Sequence, residues 1–302
     1  MSAQTRWLVS LTALVVLAGA PHRTIAQVEI QNNFKYNSGQ DVQPIFEGWS
    51  KTSDGSFRFH FGYLNRNYVQ ALSIPVGPAN SIEPGGPDRG QPTFFAVRTN
   101  RNMFTVTVPK DWGKKELVWT LTANGKTQKA FGWLQPEWEI DPAGGAASGG
   151  QTDKELLNNK APTITVTAPS AVTLPSTLTL NATVTDDGIP KPRAPRKPAV
   201  GQETPPTLQG FPDAPVNVPQ VAGIGRQPGG GAGRGQVRGP TVTWMIWRGP
   251  AGAEFEPRVS QVKDDKAQTT ITFTTPGDYI IRGRASDRIL STDSDIKVTV
   301  AR

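Results

Sequence analysis

Between residues 28 and 140 apolar and polar side chains alternate with a period of two, the pattern of strands with one face in a core and the other in water. Phe57, Phe59, Phe61 and Tyr63 fall on one side of such a run, with Arg58, His60 and Gly62 on the other. Phe104, Val106 and Val108 alternate with Thr105 and Thr107, and Leu117, Trp119 and Leu121 repeat the pattern. Asp54-Gly55 and Asn124-Gly125 stand between runs, where two-residue hairpin turns need positive backbone angles. No segment reads as a long amphipathic helix. Residues 27–140 are therefore predicted to form an aromatic-rich antiparallel β-sandwich.

Within it, Val76–Pro92 (VGPANSIEPGGPDRGQP) is dense in proline and glycine, too polar for a core and too stiff for a random linker. It reads as an ordered surface loop. Residues 141–160 read as a flexible linker. Alternation resumes in PTITVTAP and STLTLNATVTDD, breaks at residue 188, and returns in PTVTWMIW, AQTTITFTT, GDYIIRGRAS and SDIKVTV. The break, 188–239, has ten prolines, eleven glycines and one aromatic, Phe211. Such a segment cannot bury enough apolar surface to offset its ordering entropy and is expected to be disordered.

The second block resembles a known class. Asn181-Ala-Thr-Val-Thr-Asp-Asp-Gly, Thr241-Val-Thr-Trp244, Arg248-Gly-Pro, Thr275-Pro-Gly-Asp-Tyr279, Arg284-Ala-Ser-Asp287 and the closing Lys297-Val-Thr-Val resemble the PKD-like and related immunoglobulin-like repeats of bacterial surface and secreted proteins. The resemblance covers about 160–187 and 240–301. It implies a seven-strand sandwich with Trp244 between the sheets and the Tyr279 hydroxyl pinning a corner. Val242, Trp244 and Ile246 share one face of their strand, while Met245 and Trp247 take the other. The 52-residue insertion departs from the family, where a short loop is usual. The predicted fold is all-β, two antiparallel sandwiches at 27–140 and 161–302.

Charge changes the picture little. Of the formal +7, residues 1–26 carry +2 and residues 188–239 carry +5, so the folded blocks are expected to be close to neutral. That speaks against a basic face for nucleic acid; the insertion's charges are spread, with no interleaved aromatics for stacking. Leu8–Gly19 is an apolar run of secretory-signal length, short of the roughly 20 residues of a membrane span. Thr24-Ile25-Ala26 offers a cleavage site, which predicts a signal peptide over 1–26, a secreted or periplasmic chain, and no transmembrane segment in the mature form. No cysteine is present, which excludes disulfides, thiol nucleophiles and Cys-ligated metals. After cleavage His60 is the single histidine.

Candidate chemistry is sparse. His60 lies on the polar face of a strand, and neither G-x-S-x-G nor H-E-x-x-H occurs. Gly125-Lys126-Thr127 lacks the earlier glycine of a phosphate loop and is better explained as a hairpin. Asp186, Asp187 and Asp287 would meet at one pole of the second sandwich, a donor set that suits Ca²⁺; ordinary turn chemistry is the alternative. Glu83, Asp88 and Arg89 in the proline-rich loop could line a binding site. Trp112, which follows Pro109-Lys110-Asp111 in a turn, and Trp138, which follows Pro136 in a cluster with Trp133, Glu137, Glu139 and Asp141, are the expected surface pair, whereas Trp119 belongs in the core and Trp49 is assigned to neither. The expected function is a non-enzymatic adhesion or assembly module with a protein or polysaccharide partner in the cell envelope. The alternative is a carbohydrate-binding accessory protein using the first-block tryptophans, and a third reading is a hydrolase built on carboxylates such as Glu83, Asp88, Glu137 and Glu139.

Overall fold

The computed structural model describes residues 35–140, 158–190 and 239–302. The signal segment 1–26, most of the linker and nearly all of the 188–239 insertion lie outside the described residues.

The first block is built from β1 (Val42–Lys51), β2 (Phe57–Asn65), β3 (Leu72–Ser73), β4 (Asn80–Glu83), β5 (Phe94–Phe95), β6 (Arg98–Val108), β7 (Leu117–Ala123) and β8 (Lys126–Gly132). One sheet has the order β1-β2-β6, a second β4-β7-β8, and β3 and β5 form a short ribbon. The β7–β8 hairpin turns on Asn124 (φ 48°) and Gly125 (φ 75°), both left-handed as a type I′ turn requires. The alternating aromatics meet inside: Trp119 stands edge-on to Phe104 at 5.0 Å and to Phe61 at 5.9 Å. A side chain at Gly132 would collide with the Phe46 and Phe59 rings, so only glycine lets β8 approach there.

The proline-rich loop is ordered, but it is not only surface. It contains β4, which pairs with β7, and Asn80, Ile82 and Gln91 are buried. The expectation that the segment is too polar for a core fails because its polar side chains bond inward. Asn80 Nδ2 donates to the carbonyls of Ile74 and Pro92, and its Oδ1 accepts the Trp119 indole N–H.

The second block comprises β9 (Thr163–Thr167), β10 (Ala171–Thr173), β11 (Ser176–Thr185), β12 (Thr241–Arg248), β13 (Ala253–Glu256), β14 (Val259–Gln261), β15 (Lys266–Phe273), β16 (Gly277–Ser286) and β17 (Ser291–Ala301). Sheets of order β13-β15-β11-β9 and β10-β17-β16-β12-β14 face each other. All pairings are antiparallel except β10 with β17. This is an immunoglobulin-like sandwich, with Trp244 and Tyr279 between the sheets and the Tyr279 hydroxyl donating to Thr275 O at 2.7 Å. Among the described residues nine strands form rather than the seven implied, because β10 adds along β17 and the segment after β12 is shared between the sheets, β13 pairing with β15 and β14 returning to β12.

Strand β12 is apolar on both faces, and both are buried. Val242, Trp244 and Ile246 enter the second core, while Met245 and Trp247 enter the first. The Trp247 indole stands edge-on to Phe104 at 6.2 Å, and the Arg282 guanidinium covers its ring at 3.6 Å. Thr93 N–H donates to Trp247 O, and Arg284 donates to the carbonyls of Asn102 and Met103 at 2.7 Å. The outer face of the five-stranded sheet is thus a wall of the first block's core. Burying Trp247 and Met245 there contributes roughly 1.5–3 kcal/mol each.

Candidate functional site

The residues singled out by sequence fall in four places, and the structure does not bring them together. In the proline-rich loop, Asp88 forms a two-pronged ion pair with Arg248 (2.9 and 2.7 Å), which holds its carboxyl below the ordinary range. Arg89 donates to Pro84 O and Thr107 O, and Glu83 accepts the Gly86 N–H. All three serve the loop or its junction with the second sandwich.

The tryptophans divide differently from expectation. Trp112 is only 7% exposed, a correction to its assignment as a surface residue. The turn at Pro109 folds its indole back edge-on to Phe59, where the ring N–H donates to Lys115 O at 2.8 Å. Trp49 is buried too, its indole N–H donating to Gln135 O. Trp138 sits in a short 3₁₀ turn, Pro136–Trp138, and is 39% exposed. It packs on Trp133 at 5.0 Å and Phe46 at 5.4 Å. The segment 133–140 runs along β1, tied by Ile140 N–H to Trp49 O and by the exposed Lys51–Glu139 pair at 3.0 Å. The result is an aromatic patch of Phe46, Trp133 and Trp138 at one edge of the first sandwich.

The three aspartates do gather at one pole, their carboxylates engaged as turn acceptors. Asp287 takes N–H groups from Ile289 and Leu290 and the Asn159 amide. Asp187 takes those of Ile189 and Lys160, which hold its carboxyl low. Asp186 accepts from Gly188, while its other oxygen is buried without a partner. Among the described residues no group of three or more acids or histidines is arranged to hold a metal ion. Burial pushes the Asp186 carboxyl up, and the charges of Asp287 and Asp187 add to it. A carboxyl raised in the native state favours folding below its ordinary value and costs stability as pH rises through it. Asp186→Asn is therefore expected to raise the melting temperature at pH 7 by about a degree. The gain should fade below about pH 4. Scans with and without millimolar calcium check this; calcium-dependent stabilisation of the parent, lost in the variant, would restore the metal reading.

His60 Nε2 lies 2.8 Å from Ser50 Oγ. Ser50 is buried, and among the described residues no carboxylate bonds the imidazole, so the pair lacks both an accessible nucleophile and an orienting acid. Burial, with Arg58 nearby, holds His60 below its ordinary value. The unfolded chain then takes the proton first, so stability is lost as pH falls through about 6.5. His60→Gln, which keeps a partner for Ser50, should flatten urea-unfolding stability between pH 7 and 5. Glu47, raised by burial, acts in the opposite sense.

No protein-family model matches the chain, and no curated protein is similar to it in sequence. Among solved structures it is similar to a conjugative transposon lipoprotein from Bacteroides eggerthii (9% identity, 45% of this chain and 95% of that one, TM-score 0.25). It is also similar to fibronectin(III)-like modules of Clostridium thermocellum CbhA (11%, 86% and 94%, TM-score 0.24) and to a chimeric titin Z1Z2 (10%, 87% and 99%, TM-score 0.24). The assignment of an immunoglobulin-like second sandwich rests on the strand order itself. Among the described residues no helix is long and apolar enough to cross a membrane.

Proposed function

We propose that the chain is a non-enzymatic interaction protein of the cell envelope or exterior, in which two β-sandwiches present their surfaces as one rigid body. The observation that supports this most is Trp247, a residue of the immunoglobulin-like sheet that completes the core of the other sandwich. Of the carboxylates that a hydrolase reading would use, Glu83 accepts the Gly86 N–H within its own loop, Asp88 pairs with Arg248 and Glu139 pairs with Lys51. Cross-linking of the full chain in its native envelope should capture a discrete partner. Turnover on polysaccharide or phosphoester panels, abolished by changing a carboxylate, would replace this reading with an enzymatic one.

A second reading is favoured by the edge patch of Phe46, Trp133 and Trp138. Exposed tryptophan faces stack on sugar rings. Titration with cell-wall and plant polysaccharides should then shift tryptophan fluorescence to the blue, and Trp138→Ala should remove the shift while leaving the fold intact. No shift across the panel would leave the protein-partner reading alone.

A further inference from the structure

The second sandwich carries a groove that neither reading uses. β14 and β15 leave a tight turn, Lys263–Lys266, and then diverge, because β14 pairs with β12 in one sheet and β15 with β11 in the other. The space between them, about 620 Å³, opens onto the outer face of the β11–β15 pair. Its floor includes Ser260, whose hydroxyl accepts the buried Trp244 indole N–H and donates to Gln268 O.

The lining is unusual in its charge. Lys263 and Lys266 border the groove, and no Asp or Glu does. Asp264 (φ 49°) and Asp265 (φ 59°) make the turn between them, both left-handed, but neither lines the groove. The two lysines exchange both backbone hydrogen bonds at 2.9 Å. They are directly opposed residues of an antiparallel pair, so their side chains leave the hairpin on the same face. Like charges in that relation repel, and the Asp264 and Asp265 carboxylates in the turn between them offset that repulsion. Among the described residues neither ammonium has an ion pair, and the Asn181 and Gln268 amides, paired across β11 and β15, make no side-chain hydrogen bond. At the rim Val259 is 52% exposed, an apolar surface without a partner. Two ammonium groups, two amides and an exposed apolar side chain thus face one concavity with no acid in its lining, the arrangement of a binding site for a polar anion.

We propose that this groove binds an anionic polysaccharide. The acidic substituent sits between Lys263 and Lys266, sugar hydroxyls bond the Asn181 and Gln268 amides, and a ring's C–H face lies on Val259. An acidic peptide would satisfy the lysines too, but it offers fewer hydroxyls for the amides. The proposal stands apart from the Trp133–Trp138 patch, which is on the other sandwich.

The test is titration of the full chain with alginate (carboxylate) and dextran sulfate, with neutral dextran and poly-glutamate as controls. At least one of the two charged glycans should bind, more weakly as salt rises, and shift the ¹H–¹⁵N signal of the Trp244 indole through Ser260. K263Q and K266Q should each weaken binding about tenfold, the scale of one charge-assisted hydrogen bond. Both side chains are exposed, so neither substitution should shift the melting temperature by more than about 2 °C, and lost affinity would not report lost fold. N181A should weaken binding as well, and W138A should leave it unchanged. Failure of both charged glycans to bind, binding unaltered in the lysine variants, a silent Trp244 signal, or equal affinity for poly-glutamate would each overturn the proposal.

Discussion

Trp247→Ala is expected to lower the melting temperature by about 10 °C and to break a single unfolding transition into two. The indole is 2% exposed although its strand belongs to the second sandwich, and it fills the first core beside Phe104. Removing a buried tryptophan costs roughly 3–5 kcal/mol, the cavity included. In a unit of this size each kcal/mol is worth about 2–4 °C. The variant also leaves the Arg282 guanidinium without the ring it covers, although its ion pairs to Asp293 and Asp295 remain. Since the second core of Trp244, Ile281 and Val298 does not touch that side of β12, it should survive. Differential scanning calorimetry decides the matter. A single transition shifted by less than 2 °C would mean that the two cores are not energetically joined through this residue.

The second large effect is expected at Asn80. Alanine there would strand three buried groups at once: the Trp119 indole N–H and the carbonyls of Ile74 and Pro92. Each unsatisfied group costs about 1–3 kcal/mol, so a loss near 4 kcal/mol is expected from urea denaturation. Asn80→Asp, nearly the same shape, should do no better, because its acceptor-only carboxylate faces two carbonyl oxygens. If Asn80→Asp proved as stable as the parent, the hydrogen-bond account of this loop would be wrong.

Much of the architecture could be read from the chain. Alternation located the long strands, Asn124-Gly125 marked its hairpin, and the resemblance of the motifs around Trp244 and Tyr279 to PKD-like repeats implied an immunoglobulin-like sandwich. What escaped was the short pairing: β4, β10, β13 and β14 span three or four residues each, too few for a period to register. Site residues were less legible. Trp112 looked exposed because its turn chemistry gives no hint of which way the indole folds, and Asp88 looked available because its partner Arg248 lies 160 positions away along the chain.

One signal was present and could have been used. WMIW in β12 is apolar without alternation, and such a run belongs to a strand buried on both sides. The chain by itself determined the class, since a two-residue period commits each strand to one wet and one dry face. It also determined the distribution of charge, which needs no coordinates. Only the tertiary structure decided that Met245 and Trp247 complete the neighbouring core, that Arg248 meets Asp88, and that Lys263 and Lys266 share a groove with Asn181 and Gln268. Apart from the local neighbours along the Lys263–Gln268 hairpin, these contacts join residues tens to well over a hundred positions apart. Local propensity cannot encode them, because they form only when whole sheets dock and the area buried outweighs the entropy of bringing them together.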